Sequence, residues 1–151
     1  MNQIVKEWNS EPNEEEWLEP ITKYRCKILR HQTSKHLCGY VYVPKSHPWF
    51  KKEYSDPLSE DPDSEGWGYS PESMLSVHGG ITFSGKHRGE KKVWCFGFDC
   101  AHLDDLVPGM IHYGLSKGKY RNWEYVKKEC EQLAEQLATY EPKRLTTEVE
   151  A

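Results

Sequence analysis

Apolar and polar side chains alternate along two stretches of the chain, with a spacing of two residues. In residues 22–31 the alternation is between Tyr24, Cys26 and Ile28 on one side and Arg25, Lys27 and Leu29 on the other. Residues 39–44 are β-branched or aromatic and stop at Pro44. This spacing is typical of half-buried strands. The sequence therefore predicts two strands joined by a turn over residues 32–38.

Two further runs predict a second pair of strands. Residues 74–85 read MLSVHGGITFSG and residues 91–100 read KKVWCFGFDC. The segment between them is polar and flanked by glycines, and a hairpin is the simplest connection.

One clear helix is predicted from about Trp123 to Tyr140. Asn122 is a suitable N-cap, and Glu124 lies in the first turn. One apolar stripe follows the helical period, formed by Val126, Cys130, Leu133 and Leu137. The pattern predicts an α+β fold, in which a small, mostly antiparallel sheet carries the C-terminal amphipathic helix on one face.

The ends of the chain differ from the middle. Residues 1–20 are acidic and contain two prolines, which predicts an N-terminal arm that is loose or forms a short helix around Glu14–Leu18. Residues 21–141 are predicted to form a single α+β domain, and residues 142–151 a frayed tail. The proline-rich segment 44–72 is expected to be an ordered loop only if its aromatic rings dock on the domain.

Composition excludes several classes of protein. The chain has 151 residues and 13% aromatics, enough for a hydrophobic core. A net charge of −4 disfavours binding to duplex nucleic acid. There is no signal-peptide pattern and no long apolar run, and the five cysteines form no CxxC pair. We therefore interpret the chain as a reduced cytoplasmic protein that is not inserted in a membrane.

Titratable residues follow the last predicted strand directly. Asp99, His102 and Asp105 are spaced by three, so in a helical turn they project to one side. A carboxylate beside an imidazole orients the ring for acid–base chemistry. The same groups can instead hold a divalent metal that activates water, although no HExxH spacing supports this. The structural alternative to a catalytic or metal site is that Asp99 only caps the turn and His102 is a surface residue.

A second group lies in the preceding predicted strand, where His78 is followed by Gly79 and Gly80. Glycines allow a ligand to approach backbone amides, and successive amides form an anion site. A β-bulge or tight bend is the structural alternative. We predict His78, Asp99, His102 and Asp105 as the catalytic group.

Rings and arginines near these segments suggest a nucleotide pocket. The predicted ligand-binding residues are Gly79, Gly80, Thr82, His47, Trp49, Arg25 and Arg121. No P-loop, GxGxxG, GxSxG or zinc-knuckle motif is present. Their absence from the sequence disfavours nucleotide hydrolysis of the P-loop kind, Rossmann redox chemistry and α/β-hydrolase chemistry.

The quoted segments, together with LCGYVYVP, HPWF and YRNWEYVKKECEQLAEQL, resemble a family of small uncharacterised phage and prophage proteins with VHGGxTFxG and FGFDxAHxxD motifs. The resemblance covers about residues 24–138. The chain departs from it at Leu103 and Asp104, where the family more usually has Gly-Asp before the last carboxylate. It implies a location in the host-cell cytoplasm and a role against host immunity, by analogy with other small phage proteins.

Three functions remain open from the sequence. The first is a phosphodiesterase-like hydrolase that acts on a small phosphate-bearing ligand, such as a cyclic or ADP-ribose-type nucleotide signal. The second is a sponge that binds such a signal unchanged, with its site at a boundary between subunits of a homo-oligomer. The third is a protein–protein inhibitor that docks loop 44–72 on a host enzyme.

Overall fold

The computed structural model describes residues 3–87, 89–114 and 117–142. The helices are α1 (Gln3–Ser10), α2 (Pro71–Met74) and α3 (Trp123–Thr139), with a 3₁₀ helix at Pro108–Tyr113. The strands are β1 (Glu14–Leu18), β2 (Arg25–Arg30), β3 (Leu37–Val43), β4 (Phe83–Gly85) and β5 (Trp94–Asp99). The predicted tail lies outside the described residues from residue 143 onward.

The five strands form one antiparallel sheet in the order β1-β2-β3-β5-β4. Hairpins join β2 to β3 and β4 to β5, as the sequence predicts. The central pairing sets Cys38 opposite Asp99 and Val43 opposite Trp94. This register brings the end of β5 beside the turn that precedes β3. The α+β fold is confirmed.

Helix α3 covers one face of the sheet. Asn122 caps it by accepting a hydrogen bond from the Tyr125 amide at 2.9 Å. The predicted stripe is buried, and its residues pack against the inward side chains of β2, β3 and β5. Gly39 lies under this contact, because a Cβ there would come within 2.7 Å of Cys130 Sγ. The stripe therefore stabilises the fold by removing apolar surface from water.

Residues 14–18 are a strand, so the prediction of a short helix or loose arm there is wrong. Trp17 points to the core side and pairs across from Cys26, while Glu14 and Glu16 stay on the outer face. Backbone pairing with β2 and burial of one ring outweigh the helical preference of the glutamates.

The predicted strand at residues 74–85 is also wrong over most of its length. Ser70 starts α2 instead, donating its amide to Ser73 Oγ at 2.8 Å. Gly79 and Gly80 have φ of 68° and 84°, which no strand accommodates. Only β4 pairs in the sheet.

The loop over residues 44–72 is docked by part of its aromatic set. Trp49 is buried and stacks on Tyr140 at 4.6 Å between ring centroids, whereas Trp67 and Tyr69 are about half exposed. No helix within the described part of the chain has the length and apolar character needed to span a membrane.

Candidate functional site

A buried carboxylate anchors the loop that follows β5. Asp105 is 2% exposed, and its oxygens accept hydrogen bonds from His78 Nε2 at 2.9 Å and from Arg121 Nε at 2.8 Å. The His102 amide donates to the same carboxylate at 2.9 Å. Burial alone would raise the pKa of Asp105, but these three donors outweigh it and hold that pKa below its usual range. Asp105 is therefore an ionised anchor that joins three segments.

His78 uses both ring nitrogens inside this network, which we call the anchored cluster: His78, Asp105, Arg121 and Tyr125. Nε2 donates to Asp105, and Nδ1 lies 2.8 Å from the Tyr125 hydroxyl. Burial, with the charge of Glu129, raises the pKa of Tyr125, so the hydroxyl keeps its proton within this hydrogen bond. Both ring nitrogens of His78 therefore have a partner, and neither is open to a ligand.

Backbone amides around Gly79 and Gly80 also form hydrogen bonds within the protein. The His78 amide donates to Glu129 Oε1 at 2.7 Å, and the Gly80 amide donates to the Val77 carbonyl at 2.9 Å. These amides close a turn and tie it to α3. They are not arranged as the anion site that the glycines suggested.

His102 lies beside this network in different surroundings. Its Nε2 is 3.4 Å from Asp99 Oδ1, an ion-pair separation longer than a normal charge-assisted hydrogen bond. This nitrogen is buried without a hydrogen-bond partner. The side chain is 35% exposed, against 12% for His78. We call His102 and Asp99 the open pair.

Asp99 is oriented by its own neighbours. Oδ2 accepts from the Thr82 hydroxyl at 2.9 Å and Oδ1 accepts from the Ala101 amide at 3.0 Å. The carboxylate is thereby directed at His102 Nε2. A carboxylate beside one nitrogen of a partly exposed imidazole is one part of the arrangement of a general base.

Gly79 positions the ring of His102. A Cβ at residue 79 would lie 2.1 Å from His102 Nε2, so only glycine lets the imidazole rest on this backbone. Gly80 has open space at the same place. This contact links the two motifs that the sequence singled out, because the HGG turn forms the floor on which the second histidine sits.

His36 belongs to the same region and was not predicted as a site residue. It is 7% exposed, stacks on His31 at 5.0 Å between centroids, and leaves Nδ1 without a partner. Burial and the charge of His31 lower the pKa of His36, against the opposing effect of Asp99 and Asp105. His36 therefore stays neutral near neutral pH.

Two hollows meet at Ala101. One, of about 210 Å³, is lined by Ala101, His102, Leu103, Asp105, Val107, Met110 and Lys117. The other, of about 340 Å³, is lined by His31, His36, Cys38, Tyr40, Thr82, Phe83, Phe98, Asp99 and Ala101. The open pair lies at their junction, with the His102 ring in the first hollow and the Asp99 carboxylate in the second. The second hollow is at the lower end of the range of about 300–1,000 Å³ for small-molecule sites, and the first is smaller than that range.

The structure therefore brings together His78, Asp99, His102, Asp105, Gly79, Thr82 and Arg121, all predicted from the sequence. Gly80 completes the turn beneath them. Arg121 is bound to Asp105 and lies over the Tyr125 ring at 5.3 Å, so it stabilises the anchored cluster instead of facing a hollow.

Three predicted ligand-binding residues lie elsewhere. His47 is buried, with Nε2 at 2.8 Å from the Leu137 carbonyl, and Trp49 packs beside it in the core. Arg25 pairs with Glu16 and Glu90 on the outer face of the sheet. The sequence could not show that α3 would cover the first two, because that contact joins residues about 90 positions apart.

The five cysteines are free thiols, and four of them are buried. All five cysteines are described, and none forms a disulfide. Burial raises the pKa of Cys38 to about 11, which leaves little thiolate at neutral pH. Among residues 3–87, 89–114 and 117–142, no group of three or more His, Cys, Asp or Glu side chains is placed to hold a metal ion.

The chain matches no protein-family model, no curated protein and no solved structure.

Proposed function

We propose that the protein hydrolyses a phosphodiester bond in a small nucleotide-type ligand, with His102 as general base and Asp99 as the group that orients it. The observation that carries the proposal is the open pair at Ala101. Asp99 Oδ1 lies 3.4 Å from His102 Nε2, and the His102 side chain is 35% exposed, so a ligand can reach it. General acid–base catalysis by such a ring contributes about 10²–10⁴-fold to a rate.

The lining of the two hollows supports a ligand that combines phosphate with a planar ring. Lys117 in the first hollow supplies a cation for a phosphate oxygen. Tyr40 and Phe83 in the second hollow supply aromatic surface. Because the scissile phosphate must lie within reach of His102, it is placed at Ala101 with the nucleoside toward Tyr40.

The chemical step balances with one imidazole and one water. His102 Nδ1 takes a proton from water as its oxygen attacks phosphorus. The bond from phosphorus to the ester oxygen then breaks, and His102 returns the proton to that leaving oxygen. Asp99 stabilises the imidazolium between the two events.

The substrates to test first are nucleotide signals of host immunity, in keeping with the resemblance to phage proteins. The protein is incubated with 3′,5′-cyclic AMP or cyclic di-AMP and boiled, and the released ligand is measured by mass spectrometry. We expect one of them to be converted to a ring-opened product, with the rate reduced by about 10²-fold or more in His102→Gln.

Asp99→Asn and Asp104→Asn form a matched pair, since both remove one carboxylate from the same loop and Asp104 is exposed. The first should slow turnover and the second should not. Stoichiometric recovery of intact ligand from the boiled wild-type protein would show sequestration and contradict hydrolysis.

A further inference from the structure

A third hollow extends the groove beyond the proposed catalytic junction. Its volume is about 410 Å³, and it is lined by Leu29, Arg30, His31, Gln32, Thr33, Cys38 and Tyr40. It shares His31, Cys38 and Tyr40 with the hollow that contains Asp99. The two are therefore neighbouring parts of one groove over the outer face of β2 and β3, and Tyr40 lines both of them.

The Tyr40 ring is fixed before any ligand arrives. It lies on the bare backbone of Gly97, since a Cβ there would come within 2.5 Å of the ring. Phe83 and His87 contact it edge-on, at 5.7 Å and 4.4 Å between ring centroids. A ring held on three sides loses little conformational entropy when a ligand stacks on it.

Two groups at this position in the groove can form hydrogen bonds to a ligand, the Tyr40 hydroxyl and the His31 ring. Burial and the neighbouring Cys38 thiol raise the pKa of Tyr40, so its hydroxyl stays neutral. His31 Nδ1 accepts hydrogen bonds from the Thr33 and Ser34 amides, both at 3.2 Å, which places the ring proton on Nε2. His31 thus offers the groove an N–H donor, next to the ring.

We propose that Tyr40 is the platform on which a nucleobase of the substrate stacks, and that the hollow beyond it takes a second nucleoside. This rests on the proposed function for the position of the phosphate. The hollow at Asp99 alone is at the lower end of the range of about 300–1,000 Å³ found for small-molecule sites. A mononucleotide would leave the third hollow empty, whereas a ligand with two nucleosides extends from Ala101 past Tyr40. The substrate class is a dinucleotide, linear or cyclic.

The test is a binding measurement with a ligand that cannot be consumed. Dissociation constants are measured by calorimetry for phosphorothioate-linked di-adenosine and for adenosine 5′-monophosphate. The proteins are the wild type, Tyr40→Leu and the conservative control Tyr40→Phe, with unfolding midpoints recorded for each. We expect the wild type to bind the dinucleotide about tenfold or more tightly than the mononucleotide.

Loss of the ring in Tyr40→Leu should weaken dinucleotide binding by about tenfold, and Tyr40→Phe should stay within about twofold of the wild type, because stacking uses the ring and not the hydroxyl. Equal affinities for the two ligands, or no change in Tyr40→Leu, would overturn this inference. The proposed hydrolysis would still stand if turnover depended on His102. Tyr40-dependent binding of the dinucleotide without turnover of any diester would instead support the inference and overturn the hydrolysis.

Discussion

His78 and His102 lie 5.9 Å apart between ring centroids, yet they differ in almost every contact. His78 is held between a buried carboxylate and a tyrosine hydroxyl, and both of its nitrogens are engaged. His102 rests on Gly79, faces Asp99 across 3.4 Å and is one third exposed. In the proposed function, the anchored cluster holds the loop in place and the open pair acts on the ligand.

The largest effect on stability is expected when the anchor is neutralised. Asp105→Asn leaves Arg121 and His78 without their carboxylate in a site where Asp105 is 2% exposed, and breaking such an ion pair costs about 3 kcal/mol. Chemical denaturation should show this loss in the free energy of unfolding. Asp104→Asn is the control, and equal stability of the two variants would contradict the anchored cluster.

The pH dependence of this contribution has a defined sign. Because the folded protein holds the pKa of Asp105 below its usual range, the stabilisation is present at neutral pH. It is lost only as the pH falls through that lowered pKa. The difference in stability between the wild type and Asp105→Asn should therefore persist at pH 5 and decline in stronger acid.

A smaller and more selective effect is expected at the two glycines. Gly79→Ala and Gly80→Ala both place a side chain at a positive φ, which costs about 1–2 kcal/mol in either case. Only Gly79→Ala collides with His102, so it should also reduce turnover by about 10–100-fold. Unfolding and turnover measured on the pair separate the two effects. A Gly80→Ala variant that loses as much activity as Gly79→Ala would show that backbone strain, and not the position of His102, matters.

The smallest effect is the contribution of the neutral histidines to stability. Burial lowers the pKa of His36, His47 and His87, so the unfolded chain binds more protons than the folded one just below pH 6.5. Stability should fall as the pH drops through this range, by at most about 1.4 kcal/mol per pH unit for each proton. His36→Gln should reduce the slope of the free energy of unfolding against pH. An unchanged slope would show that His36 is not held neutral by the fold.

The sequence predicts local structure and part of the site. Period-two alternation identified β2 and β3, and the stripe from Val126 to Leu137 identified α3. The spacing of Asp99, His102 and Asp105 indicated a turn with converging side chains, and the structure places all three together. These signals are local, so a single sequence contains them.

What the sequence could not supply depends on pairing between distant segments. His36 joins the site because Cys38 pairs with Asp99, and that register is set by the whole sheet. Tyr125 reaches His78 because α3 lies over the HGG turn, although its position outside the apolar stripe gives no sign of this. The roles of the two histidines differ because of these contacts, and the motif letters alone do not distinguish them.

The most direct test of the central claim compares Tyr125→Phe with His102→Gln for turnover of the same nucleotide diester. Tyr125→Phe removes only the hydroxyl that bonds to His78 Nδ1, and His102→Gln removes only the open imidazole. We predict that Tyr125→Phe loses about 1 kcal/mol of stability and retains its turnover within about threefold. We predict that His102→Gln keeps its stability and loses turnover by about 10²-fold or more. Turnover abolished in Tyr125→Phe and retained in His102→Gln would contradict the account, because it would place the chemistry on His78.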